Sequence, residues 1–264
     1  MTADRPQSVL RGTGRSGPRL FDSVTEFPRT MMEVGCLTTQ WQQLLRQAPR
    51  GTPHPVMVLP GFMGGDDSTL ILRRFLTRLR YKTFPWLQGT NTGNPKQLED
   101  AVVRFYRLQH ATGTKVTLIG QSLGGVYARE IARQFPDSVR MVITLGSPYG
   151  ATAGGTTNRV VEALFERMSG SSIEEMRALI PEDEDLTELP MPTTSVYSKA
   201  DGVVHWRTCI EAEGDTSENI RVWGSHVGMA MNPDILRVIA DRLAQDPEDW
   251  RPFDRSVRPM AYPA

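Results

Sequence analysis

Apolar positions along this chain follow two alternating rhythms. Short, nearly continuous apolar runs occur at "VMVLPGF" (56–62), "YKTFPWLQG" (81–89), "KVTLIG" (115–120), "VRMVITLGSP" (139–148), "TTSVYS" (193–198) and "NIRVWG" (219–224). Their length and their Gly or Pro punctuation predict strands. Between them lie stretches whose apolar residues recur at helical spacing. In "DDSTLILRRFLTRLR" (66–80) these are Leu70, Leu72, Phe75, Leu76 and Leu79, behind Asp66, Asp67 and Ser68 as candidate caps. "NPKQLEDAVVRFYRLQHATG" (94–113), "LGGVYAREIARQF" (123–135) and "PDILRVIADRLAQ" (233–245) read the same way. Such alternation predicts an α/β domain: a mostly parallel open sheet with helices on both faces and right-handed crossovers.

The rhythm breaks in two places. The first 50 residues read as an N-terminal arm, rich in Arg, Gly, Ser and Pro up to about residue 30, followed by a short helix in "CLTTQWQQLLRQAP" (36–49). Residues 149–192 contain no strand pattern but two helix-like pieces, with Val160, Val161, Leu164, Phe165 and Met168 on one apolar face. This predicts a helical cap insert that divides the core into 51–148 and 193–248, with 249–264 an irregular surface tail.

Composition narrows the function more than the fold. Thirty basic and thirty acidic side chains cancel, which removes any global electrostatic case for a nucleic-acid partner. No segment has the roughly 20 apolar residues of a membrane span, and the N-terminus lacks a signal-peptide pattern, so a cytoplasmic protein without integral membrane association is expected. The two cysteines, Cys36 and Cys209, stand far apart and outside any Cys/His cluster, which argues for free thiols and against structural zinc. Oligomeric state is not encoded in any pattern found.

The chemistry concentrates in "LIGQSLGG", where Gly120, Ser122 and Gly124 form G-x-S-x-G between an expected strand and an expected helix. That arrangement puts the serine on a sharp strand-to-helix turn, holds its Oγ above the sheet edge and aims a helix N-terminus at it. With "LGSP" one strand later, these residues resemble the α/β-hydrolases, and more narrowly their bacterial lipase and carboxylesterase branch. The resemblance spans roughly residues 55–245. It implies an α/β-hydrolase fold and a Ser-His-Asp triad in the chain order nucleophile, acid, histidine.

Of four histidines, His54 and His110 precede Ser122 and fail on that order. His226, in the glycine-flanked loop "VWGSHVGMAMNPDIL", is favoured as the base over its rival His205 in "ADGVVHWRTC". For the acid, Asp201 directly follows a strand. Asp137 precedes one and lies at the wrong edge, Asp215 sits in a polar loop, and the run Glu182 to Asp185 reads as a solvated face of the insert.

The resemblance also implies an oxyanion hole built from the amides of Leu123 and of a residue in "LPGFMGG", with Phe62 ahead of Met63. Here the chain has Pro60 where the family usually carries histidine. Met63, Tyr149, Val203 and Val227 are the expected substrate-binding wall, suited to an apolar acyl group. The expected function is therefore a serine carboxylesterase or lipase acting on small or lipid-like acyl esters, with no metal or organic cofactor. A thioesterase, acyltransferase or amidase using the same three residues is the alternative, and a non-catalytic binding protein on this fold ranks below both. An apolar underside on the 149–192 insert would make it a lid.

Overall fold

The computed structural model describes residues 18–148, 189–212 and 214–263. The expected cap insert therefore falls almost wholly outside the described residues, as do Tyr149 and residues 1–17. Six strands form one sheet: β1 (Pro55–Leu59), β2 (Lys82–Phe84), β3 (Val116–Gln121), β4 (Val139–Leu145), β5 (Thr193–Ser198) and β6 (Ser217–Val222). All neighbours pair in parallel, in the order β2-β1-β3-β4-β5-β6. Each strand matches one of the six apolar runs; the inner strands β1, β3, β4 and β5 are buried almost throughout, since a strand covered on both faces has no polar side to show, while the edge strand β2 is partly exposed.

The pleat divides these runs between two cores. Val56 and Val58 of β1 and Ile119 of β3 join one apolar cluster, together with residues of α2 (Glu26–Gln47), α3 (Leu70–Arg78) and α6 (Pro233–Ala244). Their alternates Met57, Leu59 and Leu118 join the other, with α4 (Pro95–Thr112) and α5 (Leu123–Gln134). Period-2 alternation on a two-sided sheet has this consequence directly.

Helix ends follow local chemistry in α4 and α6. Asn94 accepts the Lys96 N–H at 2.9 Å ahead of Pro95, and Gly113 closes α4 at φ 62°. Asn232 accepts the amides of Asp234 at 2.9 Å and Ile235 at 3.3 Å ahead of Pro233. The caps expected for α3 differ. Thr69 is its N-cap, with no side-chain cap bond, and Asp66 instead accepts the amides of Trp86 at 2.8 Å and Leu87 at 3.0 Å, pinning the loop after β2.

The N-terminal region also differs from expectation. A short α1 (Leu20–Val24) leads into α2, which runs 22 residues from Glu26 rather than beginning near Cys36. Its first half buries Glu26, Thr30 and Glu33, so apolar periodicity carries no signal there. The C-terminal tail docks on α6: Phe253 and Tyr262 meet edge-to-face at 4.8 Å, and the buried Tyr262 donates its hydroxyl to the Asp234 carbonyl at 2.9 Å. Cys36 is exposed, Cys209 is buried, and both are free thiols. No described helix is long and apolar enough to cross a membrane.

Strand order reverses between β1 and β3: the chain leaves β1 outward to β2, then returns across it. In open parallel sheets the carboxyl ends flanking such a reversal form a crevice where ligands bind.

Candidate active site

Ser122 lies at that crevice, between the end of β3 and the first turn of α5. Its backbone is held at φ 51°, ψ −123°, a left-handed conformation that costs a non-glycine residue about 1–3 kcal/mol. Packing on both sides maintains it. A methyl group on Gly120 would come within 2.2 Å of the Gly124 carbonyl oxygen, and one on Gly124 within 2.3 Å of the Leu59 carbonyl oxygen. Neither position admits a side chain, so strand and helix close tightly and the serine stands out at the bend. Its N–H donates to the Leu145 carbonyl at 2.8 Å, and its carbonyl accepts the Gly125 N–H at 2.9 Å.

His226 and Asp201 meet directly. The imidazole Nδ1 lies 2.6 Å from Asp201 Oδ2, and both side chains are buried. The other carboxylate oxygen, Oδ1, accepts the amides of Val203 at 2.9 Å and Val204 at 2.7 Å, which fixes its direction in the loop after β5. Burial pushes the imidazole pKa down. The charge and hydrogen bond of Asp201 push it up, the Glu26 charge adds to them, and the net direction is upward.

Ser122 joins this pair through its neighbour: Gln121 Nε2 donates to the His226 carbonyl at 2.9 Å. Among the described residues the Ser122 hydroxyl makes no hydrogen bond to the imidazole.

The remaining histidines make no hydrogen bond to Asp201 among the described residues. His205 stacks on Trp206 with ring centroids 5.9 Å apart; burial and then Arg207 push its pKa down, the Asp201 charge pushes it up, and the net direction is downward. His54 sits at the opposite, N-terminal end of the sheet, 3.0 Å from Thr117 Oγ1. His110 is on the exposed side of α4. Asp137 belongs to a short turn just before β4.

The loop after β1 runs beside the serine, where a methyl on Gly61 would lie 3.1 Å from Ser122 Cβ. Leu123, the first residue of α5, has its N–H at the helix start, where no intrahelical acceptor exists. Phe62 is half-buried in the same loop. The Met63 N–H, next along the loop, donates to the Asn91 carbonyl at 2.7 Å. Its side chain remains exposed, as does that of Val227, while Val203 packs against the cluster of Tyr197, Val204 and Cys209. Asn91, fully buried, steadies this loop: its Nδ2 donates to the Pro60 carbonyl at 2.9 Å and its N–H to the Gly64 carbonyl at 2.8 Å. Gln121, Asn91, Glu26 and Glu33 all escaped sequence reading. Only the last two left a trace, as polar residues at helical spacing with Thr30 between them.

Against known proteins, the family model for the alpha/beta hydrolase fold matches residues 10–213, well over half of the chain. This chain belongs to the alpha/beta hydrolase fold family. Ser122 and Asp201 fall within the matched stretch, and His226 lies beyond it. None of the curated proteins matches this hydrolase-fold chain in sequence. Among solved structures it is similar to Aspergillus fumigatus lipase B, at 17% identity and TM-score 0.59, over 81% of this chain and 60% of that one. It thus spans about three fifths of that lipase. A monoacylglycerol lipase of Paleococcus ferrophilus is similar at 15% identity and TM-score 0.51, over 75% and 97% of the two chains. The type II thioesterase BorB from the borrelidin biosynthetic cluster follows at 19% and 0.51, over 75% and 94%. At these identities the likeness is one of fold. No group of three or more His, Cys, Asp or Glu suited to a metal ion occurs among the described residues.

Proposed function

We propose that this protein is a serine hydrolase of carboxylic esters, with Ser122 as nucleophile, His226 as general base and Asp201 as its orienter. The observation that carries the reading is the strained, glycine-locked backbone of Ser122 beside a buried His226–Asp201 pair on neighbouring strand ends. A bystander serine has no reason to be held at such a cost.

In the proposed reaction, Ser122 Oγ attacks the acyl carbon while its proton passes to His226 Nε2. Charge develops on the former carbonyl oxygen, beside the Leu123 amide and the loop carrying Phe62, where fixed N–H dipoles stabilise it. The tetrahedral intermediate collapses to an acyl-serine, and the departing alkoxide takes the proton from His226. Water then repeats the sequence and releases the acid, with Ser122 restored. Asp201, on Nδ1, holds the tautomer that leaves Nε2 able to accept.

The apolar side chains of Phe62, Met63 and Val227 around this edge suit an uncharged acyl chain. The raised imidazole pKa sets a sign: His226 must be neutral to act, so activity falls with acidification from a pH above the ordinary 6.5 of imidazole.

A fluorophosphonate probe tests the assignment. Labelling of the wild type that disappears in a folded Ser122→Ala variant is expected, with hydrolysis of p-nitrophenyl esters lost in parallel. Folded wild-type protein that neither labels nor hydrolyses would remove the enzymatic reading. Faster turnover of acyl thioesters or anilides than of matched esters would move the assignment to a thioesterase or amidase.

A further inference from the structure

The first half of α2 is inside out. It turns Glu26, Thr30 and Glu33 toward the sheet and leaves Phe27, Met31 and Met32 exposed. Burying carboxylates in place of apolar groups is costly unless each is hydrogen-bonded, and the partners here share one location.

Glu26 Oε2 accepts the Gly202 N–H at 3.1 Å, and its Oε1 accepts the Val227 N–H at 2.8 Å. Gly202 is the residue after Asp201, and Val227 is the residue after His226. One carboxylate therefore spans the two loops that bring acid and base together. Glu33 holds only the second loop, accepting the Ser225 N–H and Asn232 Nδ2, each at 2.9 Å, and the Ser225 hydroxyl. Arg29 Nη2 supports Glu26 Oε2 at 3.1 Å, and its Nη1 donates to the Ala200 carbonyl and, at 3.2 Å, to the Gly224 carbonyl.

Both loops make room for the N-terminal helices. A methyl on Gly202 would lie 2.4 Å from the Asp22 carbonyl oxygen of α1 and 2.8 Å from Glu26 Oε2, and one on Gly228 would lie 1.8 Å from Glu33 Oε2. Those glycines serve close approach between loop and helix.

We propose that Glu26 is a positioning residue of the Asp201–His226 pair: its two oxygens set the spacing of the two loops, and its negative charge favours the imidazolium formed when Ser122 is deprotonated. This rests on the reading of Ser122, His226 and Asp201 as a hydrolytic triad and deepens it. Asp201, His226 and Arg29 are the charged or titratable groups facing Glu26, with Glu33 two turns along the same helix. Burial raises the Glu26 pKa, the Val227 N–H lowers it, Asp201 raises it, and His226 and Arg29 lower it, for a net rise.

The test is kcat and KM for a soluble p-nitrophenyl ester across pH, with melting temperature, for wild type, Glu26→Gln and Glu33→Gln. Glu26→Gln keeps an acceptor for Val227 but loses the charge and opposes the Gly202 N–H with an NH₂ group. It should lower kcat by about 10- to 100-fold with little change in KM. It should also move the acid limb of kcat/KM down by about half to one pH unit. Glu33→Gln, which holds one loop without acting on the imidazole, should leave that limb where it is. Should Glu26→Gln fail to fold, Glu26→Asp keeps the charge but shortens the reach, so kcat should fall while the limb stays put. A Glu26→Gln enzyme with wild-type kcat and acid limb overturns the proposal. So does an identical limb shift in both Gln variants, or a Glu26→Asp enzyme with full kcat. An active Ser122→Ala variant would instead overturn the triad reading on which the proposal stands.

Discussion

Helices α2 and α6 pack against each other on one face of the sheet and bury opposite chemistry. Helix α6 follows the general rule: Ile235, Leu236, Val238, Ile239 and Leu243 face the core and are fully buried. Helix α2 obeys it only in its second half, through Leu37 and Leu44, while its first half offers carboxylates to backbone amides. The contrast separates two ways a helix contributes. Helix α6 stabilises the domain through area removed from water. The start of α2 gives up that area and instead determines where two loops sit, at the end of the sheet where the candidate chemistry is. Stability and site geometry are thus assigned to different stretches of one helical layer.

Perturbing each stretch in its own currency sharpens the distinction. The largest stability effect belongs to α6: Ile239→Ala removes buried volume and should cost about 2–5 kcal/mol in denaturant unfolding. Activity per folded molecule should stay unchanged, and a selective loss of turnover would contradict the division of roles.

A comparable effect is expected at the far end of the sheet, where burial holds the His54 pKa down to about 4. The folded state then binds this proton less readily than the unfolded chain does, at an ordinary 6.5. Its contribution is fully present above about pH 6.5 and is lost as pH falls toward 4, by about 3 kcal/mol in all. Unfolding measured across that window should show the decline in wild type and a shallower one in His54→Gln.

Gly228→Ala addresses the α2 side. The new methyl would meet Glu33 and push the His226 loop away, so kcat/KM should drop by about 10- to 100-fold, more than any change in stability explains. Smallest of all, Phe27→Ser and Met32→Ser act on exposed apolar side chains, 71% and 63% accessible. Each should change stability by less than about 0.5 kcal/mol. A larger loss would mean that this face is covered in solution.

The inner strands were legible because burial on both faces leaves little freedom in composition, and the edge strand β2 through the Gly and Pro that bound its run. The turn at Ser122 was legible for a related reason, since Gly120 and Gly124 admit no side chain. The start of α2 was not. Glu26, Thr30 and Glu33 are buried there while Phe27, Met31 and Met32 are exposed, and periodicity reports only that two faces differ, not which of them is covered. Asn91 and Gln121 were invisible for another reason: each acts through a single side-chain amide on a backbone carbonyl 31 or 105 residues away.

The sequence by itself determined the alternation of strands and helices, the two-faced sheet and the glycine-locked serine, all of which follow from local volume, period and backbone allowance. Only the tertiary structure decided that His226 Nδ1 meets Asp201 Oδ2 and that α2 faces the sheet with its carboxylates. Those contacts join residues from 25 to 201 positions apart. Their partners are largely backbone amides, which every residue but proline carries, so no pattern of side chains along the chain marks them in advance.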